Sequence, residues 1–162
     1  ASGTTPYVVG GLRTARAHGL LTGAITCNPR SPVAAEAEYA LEAVVGPEFV
    51  TGSTRMKAGT AQKAVLNLLS TAIMIRRGLV YEGRMVAMRI SNAKLLQRGR
   101  GMVQDIAGVD AETAAQALET AGNEIRLGVI VALGVPVREG QALLDANGGD
   151  LRKVMGALER RD

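Results

Sequence analysis

Apolar positions along the chain fall into runs that switch between helical and strand spacing. Val8, Val9, Leu12 and Ala15 share one face of a predicted helix. Thr5 stands at its N-cap and Pro6 at its first turn, and Gly19 ends it. Ala24 to Cys27 is a short apolar run that reads as a buried strand, followed by the turn signals Asn28-Pro29 and Ser31-Pro32. A short helix is expected from Val33 to Tyr39 and a second strand from Leu41 to Val45. Lys57 to Arg76 is apolar on almost every side, so a buried helix is expected there. A long amphipathic helix is expected from about Gly83 to Ile106, with Met85, Met88, Leu95, Leu96 and Val103 on its stripe.

The helix–strand–helix–strand–helix order predicts an α/β fold with a doubly wound parallel sheet. Two strands are few for such a sheet. The chain also opens on Ala inside a loop-like segment, so upstream strands are expected to be missing. The last third carries an internal repeat at an offset of 26 residues. Leu118, Gly122, Glu124, Ile125 and Arg126 align with Leu144, Gly148, Asp150, Leu151 and Arg152. Each copy reads as helix, glycine-containing turn, helix. The expected organisation is an α/β part over residues 1–107 and a small helical bundle over 108–162, with the boundary at Gly108 and Val109.

Composition narrows this picture. Hydrophobic residues make up 47% of the 162 residues but aromatics only 2%, so Ala, Val, Leu and Ile must supply the core. The apolar helical run Ala64 to Ile75 holds about 12 residues with Asn67 and Ser70 inside it, too short to span a bilayer. No signal-peptide pattern is visible, and Cys27 has no second cysteine to pair with. A reducing, cytoplasmic location is therefore expected. Cys27 sits in an apolar run without a histidine near it and reads as packing rather than a nucleophile. His18, the sole histidine, reads as a complement to a helix C-terminus. One histidine and one cysteine give no zinc site.

The net charge of +4 is unevenly distributed. Ten Lys/Arg and one acid, Glu82, lie between Arg55 and Arg100, whereas ten acids and six basic residues follow from Asp105. The basic residues are scattered through helices without a nucleic-acid-binding motif, which argues against nucleic acid and leaves a small anionic ligand or a solvated helix face.

The chemistry concentrates at residues 46–63, GPEFVTGSTRMKAGTAQK. A Gly-Pro-Glu turn leads into Thr51-Gly52-Ser53-Thr54, then Arg55 and Lys57, at the start of a helix. Hydroxyls, free N–H groups, a helix N-terminus and two cations are what a phosphate requires. An ordinary Ser/Thr cap followed by solvated basic residues fits the same letters. Ser2, Gly3 and Thr5 form a second hydroxyl loop ahead of a helix. In a parallel sheet both would lie at the carboxyl ends of strands, where two such loops can converge on one phosphate. Glu48, the only acid beside the 51–57 loop, is either a catalytic carboxylate or a brace for that loop. Asn92, placed on an apolar stripe, is either a structural hydrogen-bonding group or a ligand contact.

Residues 46–63 resemble the signature shared by N-acetylmuramic acid 6-phosphate etherases and the glucokinase regulatory protein. The matching positions are Gly46, Pro47, Glu48, Gly52, Ser53, Thr54, Arg55, Met56, Lys57, Ala58, Gly59, Thr60 and Lys63. ASGTTPYVV at 1–9, ITCNPRSPVA at 25–34 and ISNAKLLQR at 90–98 extend the likeness, which favours the etherase. The resemblance implies the C-terminal part of a sugar isomerase domain, followed by a bundle resembling the ubiquitin-associated type. It implies binding of a phosphorylated amino sugar through Ser2, Gly3, Thr5, Ser53, Thr54, Arg55, Lys57, Asn92 and Lys94, with no cofactor and no metal. It further implies that the two catalytic glutamates lie upstream of Ala1, which leaves Glu48 as a weak candidate within the chain. A non-catalytic phosphosugar sensor and an aldose–ketose isomerase of the same domain type remain alternatives. The isomerases usually carry an Ala-Ser-Thr-Lys version of the signature, which is not found here. The apolar 64–75 helix and the Met85/Met88 stripe predict a homodimer.

Overall fold

The computed structural model describes residues 1–160. It is α/β and mostly helical, with one small parallel sheet. Two compact units can be separated, Ala1–Thr71 and the remainder from Ala72 on. None of the helices among the described residues is long and apolar enough to cross a membrane.

The first unit contains α1 (Pro6–Ala17), β1 (Gly23–Thr26), α2 (Pro32–Glu36), β2 (Tyr39–Glu42) and most of α3 (Lys57–Arg76). The two strands pair in parallel with Gly23 opposite Tyr39 and Thr26 opposite Glu42. The expected element order is observed, but both strands begin earlier than the apolar runs that predicted them, and α2 is shorter than expected. Ser31 ends the preceding turn and caps α2 by accepting from the Ala34 N–H at 3.3 Å. Thr5 and Pro6 start α1 as expected, though the Thr5 hydroxyl makes no capping bond. The His18 Nδ1 lies 2.8 Å from the Thr14 carbonyl at the other end.

α1 is tied to α2 by an ion pair between Arg13 and Glu36 at 2.6 Å. β1 forms the centre of the unit, with Ala24, Thr26 and Cys27 buried beside Val33. β2 is exposed along its whole length. Helix α3 has the expected bounds but not the expected burial. Of its residues only Ala58 is buried, while Leu66, Leu68, Leu69, Ile73 and Ile75 are exposed. Its first turns dock on β1, where Gln62 donates to the Ile25 carbonyl at 3.3 Å and the Cys27 thiol to the Ala58 carbonyl at 3.4 Å. Two strands offer too little surface to cover the turns that follow.

The second unit is built from α4 (Ala93–Ala107), α5 (Ala111–Thr120), α6 (Ile125–Ala132), α7 (Val137–Ala146) and α8 (Leu151–Leu158). The expected long helix from Gly83 is corrected: α4 starts only at Ala93. Asn92 lies outside the helix and caps it, its Oδ1 accepting the Leu95 N–H at 2.9 Å. Met85 and Met88 had mimicked helical spacing. The segment instead turns at Tyr81–Arg84, with backbone bonds in both directions, and sends Val86 into the core. Arg152 of α8 stacks on the Tyr81 ring at 5.4 Å.

The repeat is expressed as two helix–turn–helix pairs, α5–α6 and α7–α8. Gly122 and Gly148, both at φ +64°, close the first helix of each pair. Leu118, Ile125, Val129, Ile130, Leu151 and Val154 form the core together with Val103 of α4. Arg126 joins the two turns: its Nη1 donates to the Gly149 carbonyl at 2.9 Å and its Nε to Glu124 at 2.7 Å.

Candidate functional site

Both hydroxyl loops of the first unit lie at the carboxyl edge of the strand pair. The first is pinned just past the end of β1. The Cys27 N–H donates to the Ala1 carbonyl at 2.9 Å, and the Val33 N–H to the Gly3 carbonyl at 3.0 Å. Gly3 is buried at φ +77°, where a Cβ would lie 2.3 Å from the Ser31 Oγ. Only glycine satisfies both the backbone angle and the close approach. Thr4 donates to the Ser2 hydroxyl at 3.3 Å. The α1 first turn holds no acidic residue.

The second loop follows β2 after Ala43, whose N–H donates to the Thr26 carbonyl at 2.8 Å. It is closed upon itself. The Glu48 carboxylate accepts the Lys57 N–H and the Ala58 N–H, one on each oxygen and each at 3.0 Å. The Lys57 ammonium donates to the Pro47 carbonyl at 3.1 Å. The two backbone donors, Ala58 first and then Lys57, hold the Glu48 carboxyl below the usual glutamate range, and the Lys57 charge adds to the effect. Glu48 thus caps and braces α3. Arg55 is exposed, and Ser53 and Thr54 are half-buried.

Asn28 is bonded to the first loop and faces the second. Its side-chain amide donates to the Ser2 carbonyl at 3.0 Å. It also lines a cavity of about 170 Å³ with Glu48, Thr51, Gly52, Thr54 and Cys27. Gly3 and Thr5 line a second cavity of about 200 Å³ with Ile25, Val33 and Gln62. Of the expected site residues, Ser2 is bonded to Asn28 and Thr54 lines the same cavity as Asn28, whereas Gly3 and Thr5 line a separate one. Lys57 turns to its own loop. Asn92 and Lys94 belong to the second unit, where Asn92 serves as a helix cap and Lys94 is exposed. Asn28 was read from sequence only as part of a turn. The signal was its position directly after an apolar strand, where parallel sheets place ligand-binding side chains.

The chain is an α/β protein with two hydroxyl-bearing loops at the carboxyl edge of a parallel strand pair, the kind of position at which such sheets bind ligands. None of the protein-family models searched matches the chain. Individual relatives do. An N-acetylmuramic acid 6-phosphate etherase of Pectobacterium atrosepticum is 46% identical over 156 residues, which is 96% of this chain and 52% of the relative. The etherase of Clostridium beijerinckii is 44% identical over 162 residues, covering 99% of this chain and 53% of the relative. That of Porphyromonas gingivalis is 60% identical over 116 residues, or 70% and 42% of the two chains. The chain belongs to the N-acetylmuramic acid 6-phosphate etherase family, and it spans about half the length of the curated relatives it matches.

Proposed function

We propose that this chain supplies the phosphosugar-binding part of an enzyme that cleaves the D-lactyl ether of N-acetylmuramic acid 6-phosphate. The products are N-acetylglucosamine 6-phosphate and D-lactate, formed during recycling of cell-wall sugars. The observation that carries this reading is that Asn28, bonded to Ser2 of the first loop, lines a cavity with the signature loop, in a chain related to etherases over nearly its whole length.

The chemistry is elimination followed by hydration. A carboxylate takes the proton from the carbon next to the open-chain aldehyde. The carbon–oxygen bond to lactate breaks, and lactate leaves with a proton. Water then adds across the resulting alkene. This requires acid and base groups and no metal. In this reading residues 1–107 are part of a doubly wound sugar isomerase domain, and residues 108–162 are a bundle of the ubiquitin-associated type. Ser2, Gly3, Thr5, Ser53, Thr54, Arg55 and Lys57 surround the phosphosugar. The catalytic carboxylates lie outside the chain. The enzyme is cytoplasmic and homodimeric, and the exposed Leu66, Leu68, Leu69, Ile73 and Ile75 of α3 support the dimer.

The test is release of D-lactate from N-acetylmuramic acid 6-phosphate. The full-length protein should release it, whereas residues 1–162 alone should not. Absence of release from the full-length protein would refute the etherase reading. Release by the 162-residue chain would place the catalytic carboxylate within it.

A further inference from the structure

Glu48 distinguishes the signature loop from an open anion cradle. Its two oxygens take the Lys57 and Ala58 N–H groups, the donors at the α3 N-terminus that a phosphate would otherwise meet. The same helical turn is fixed from behind, because the Ala58 carbonyl receives the buried Cys27 thiol and Gln62 reaches the Ile25 carbonyl. The Lys57–Pro47 bond closes the loop from its far side. A continuous set of bonds therefore runs from β1 through the first turn of α3 to Glu48. Glu48 shares its cavity with Thr51, Thr54 and Asn28.

We infer that Glu48 is a positioning residue for the phosphosugar, holding Thr51 and Thr54 opposite Asn28 by occupying the α3 N-terminus itself. This role rests on the phosphosugar reading given above. Both carboxylate oxygens already accept N–H bonds, so taking up a proton would disrupt the cap. That arrangement suits an anchor better than a base. The Ala58 and Lys57 N–H bonds that lower its pKa favour the charged form that the cap uses.

Steady-state kinetics of the full-length protein on N-acetylmuramic acid 6-phosphate tests the role. Glu48→Ala should raise KM about tenfold and leave kcat within about twofold. Formate at tens of millimolar should bring KM back towards the parent value by replacing the missing carboxylate. Glu48→Gln, which keeps the shape and one accepting oxygen, should fall between the two and decides the matter if the alanine variant does not fold. A collapse of kcat at unchanged KM would overturn the role and make Glu48 an acid or base. Unchanged kcat and KM with only a lower melting temperature would reduce it to a helix cap. If the parent protein turns over no phosphosugar, the functional reading itself falls, an outcome distinct from a silent Glu48 in an active enzyme.

Discussion

Replacing Gly3 with alanine should damage the first loop in a way that a second substitution can partly repair. Gly3 sits at φ +77°, and the new methyl group would stand 2.3 Å from the Ser31 Oγ and 2.4 Å from its Cβ. Holding an L-residue in the left-handed region costs about 1–2 kcal/mol. Ser31 is buried and caps α2, so moving it aside would also forfeit a cap worth about 1 kcal/mol. Gly3→Ala should therefore lose about 2–4 kcal/mol in urea unfolding. Ser31→Gly alone should cost only a few tenths of a kcal/mol, because glycine is a tolerated N-cap. The double variant removes the clash and keeps only the backbone strain, so it should be more stable than additivity predicts by about 1–2 kcal/mol. Strict additivity, or a Gly3→Ala loss below about 0.5 kcal/mol, would refute the packing of this loop on Ser31.

Four further outcomes are expected. Leu118→Ala, at the centre of the helical core, should lose about 2–5 kcal/mol in the same unfolding assay. Asn92→Ala should cost about 1 kcal/mol through the lost α4 cap, and Asn92→Asp should retain most of it. Arg55→Ala should weaken turnover of the phosphosugar roughly ten- to a hundredfold with the fold intact, if this exposed guanidinium contacts phosphate. Asp110 accepts the Thr113 N–H at 2.7 Å, and bonding from the Thr113 backbone and then its side chain lowers the Asp110 pKa. A lowered folded-state pKa gives stability that is present above the ordinary aspartate value of about 3.9 and lost as pH falls through the folded value. Asp110→Asn should flatten that acid limb in an unfolding series from neutral to low pH.

Local chemistry was legible in the sequence where it decides the backbone by itself. Pro6 after Thr5, the paired Gly122 and Gly148 turns, and the full extent of α3 were all readable without coordinates. Reading failed where tertiary contacts override spacing. Met85 and Met88 fall on a helical stripe, yet the segment runs through turns, with Val86 in the core and a bridge between Tyr81 and Arg84. Asn92, placed on that stripe, is the signal that ends it. The apolar circumference of α3 predicted burial, but a pattern of residues does not specify how much surface is present to cover it. At the site, the hydroxyl loops were readable as letters. The closure of the second loop by Glu48 and the Asn28 bond to the first were not, because both depend on partners nine to twenty-six residues away.

The central claim is that the loop cluster around Asn28 belongs to a phosphosugar site, and calorimetric titration of the full-length protein tests it most directly. N-acetylglucosamine 6-phosphate should bind with an affinity at least about a hundredfold above that of N-acetylglucosamine, the difference of about 2.7 kcal/mol expected from charge-assisted contacts to one phosphate. Equal affinity for the two sugars, or binding of neither, would contradict the account.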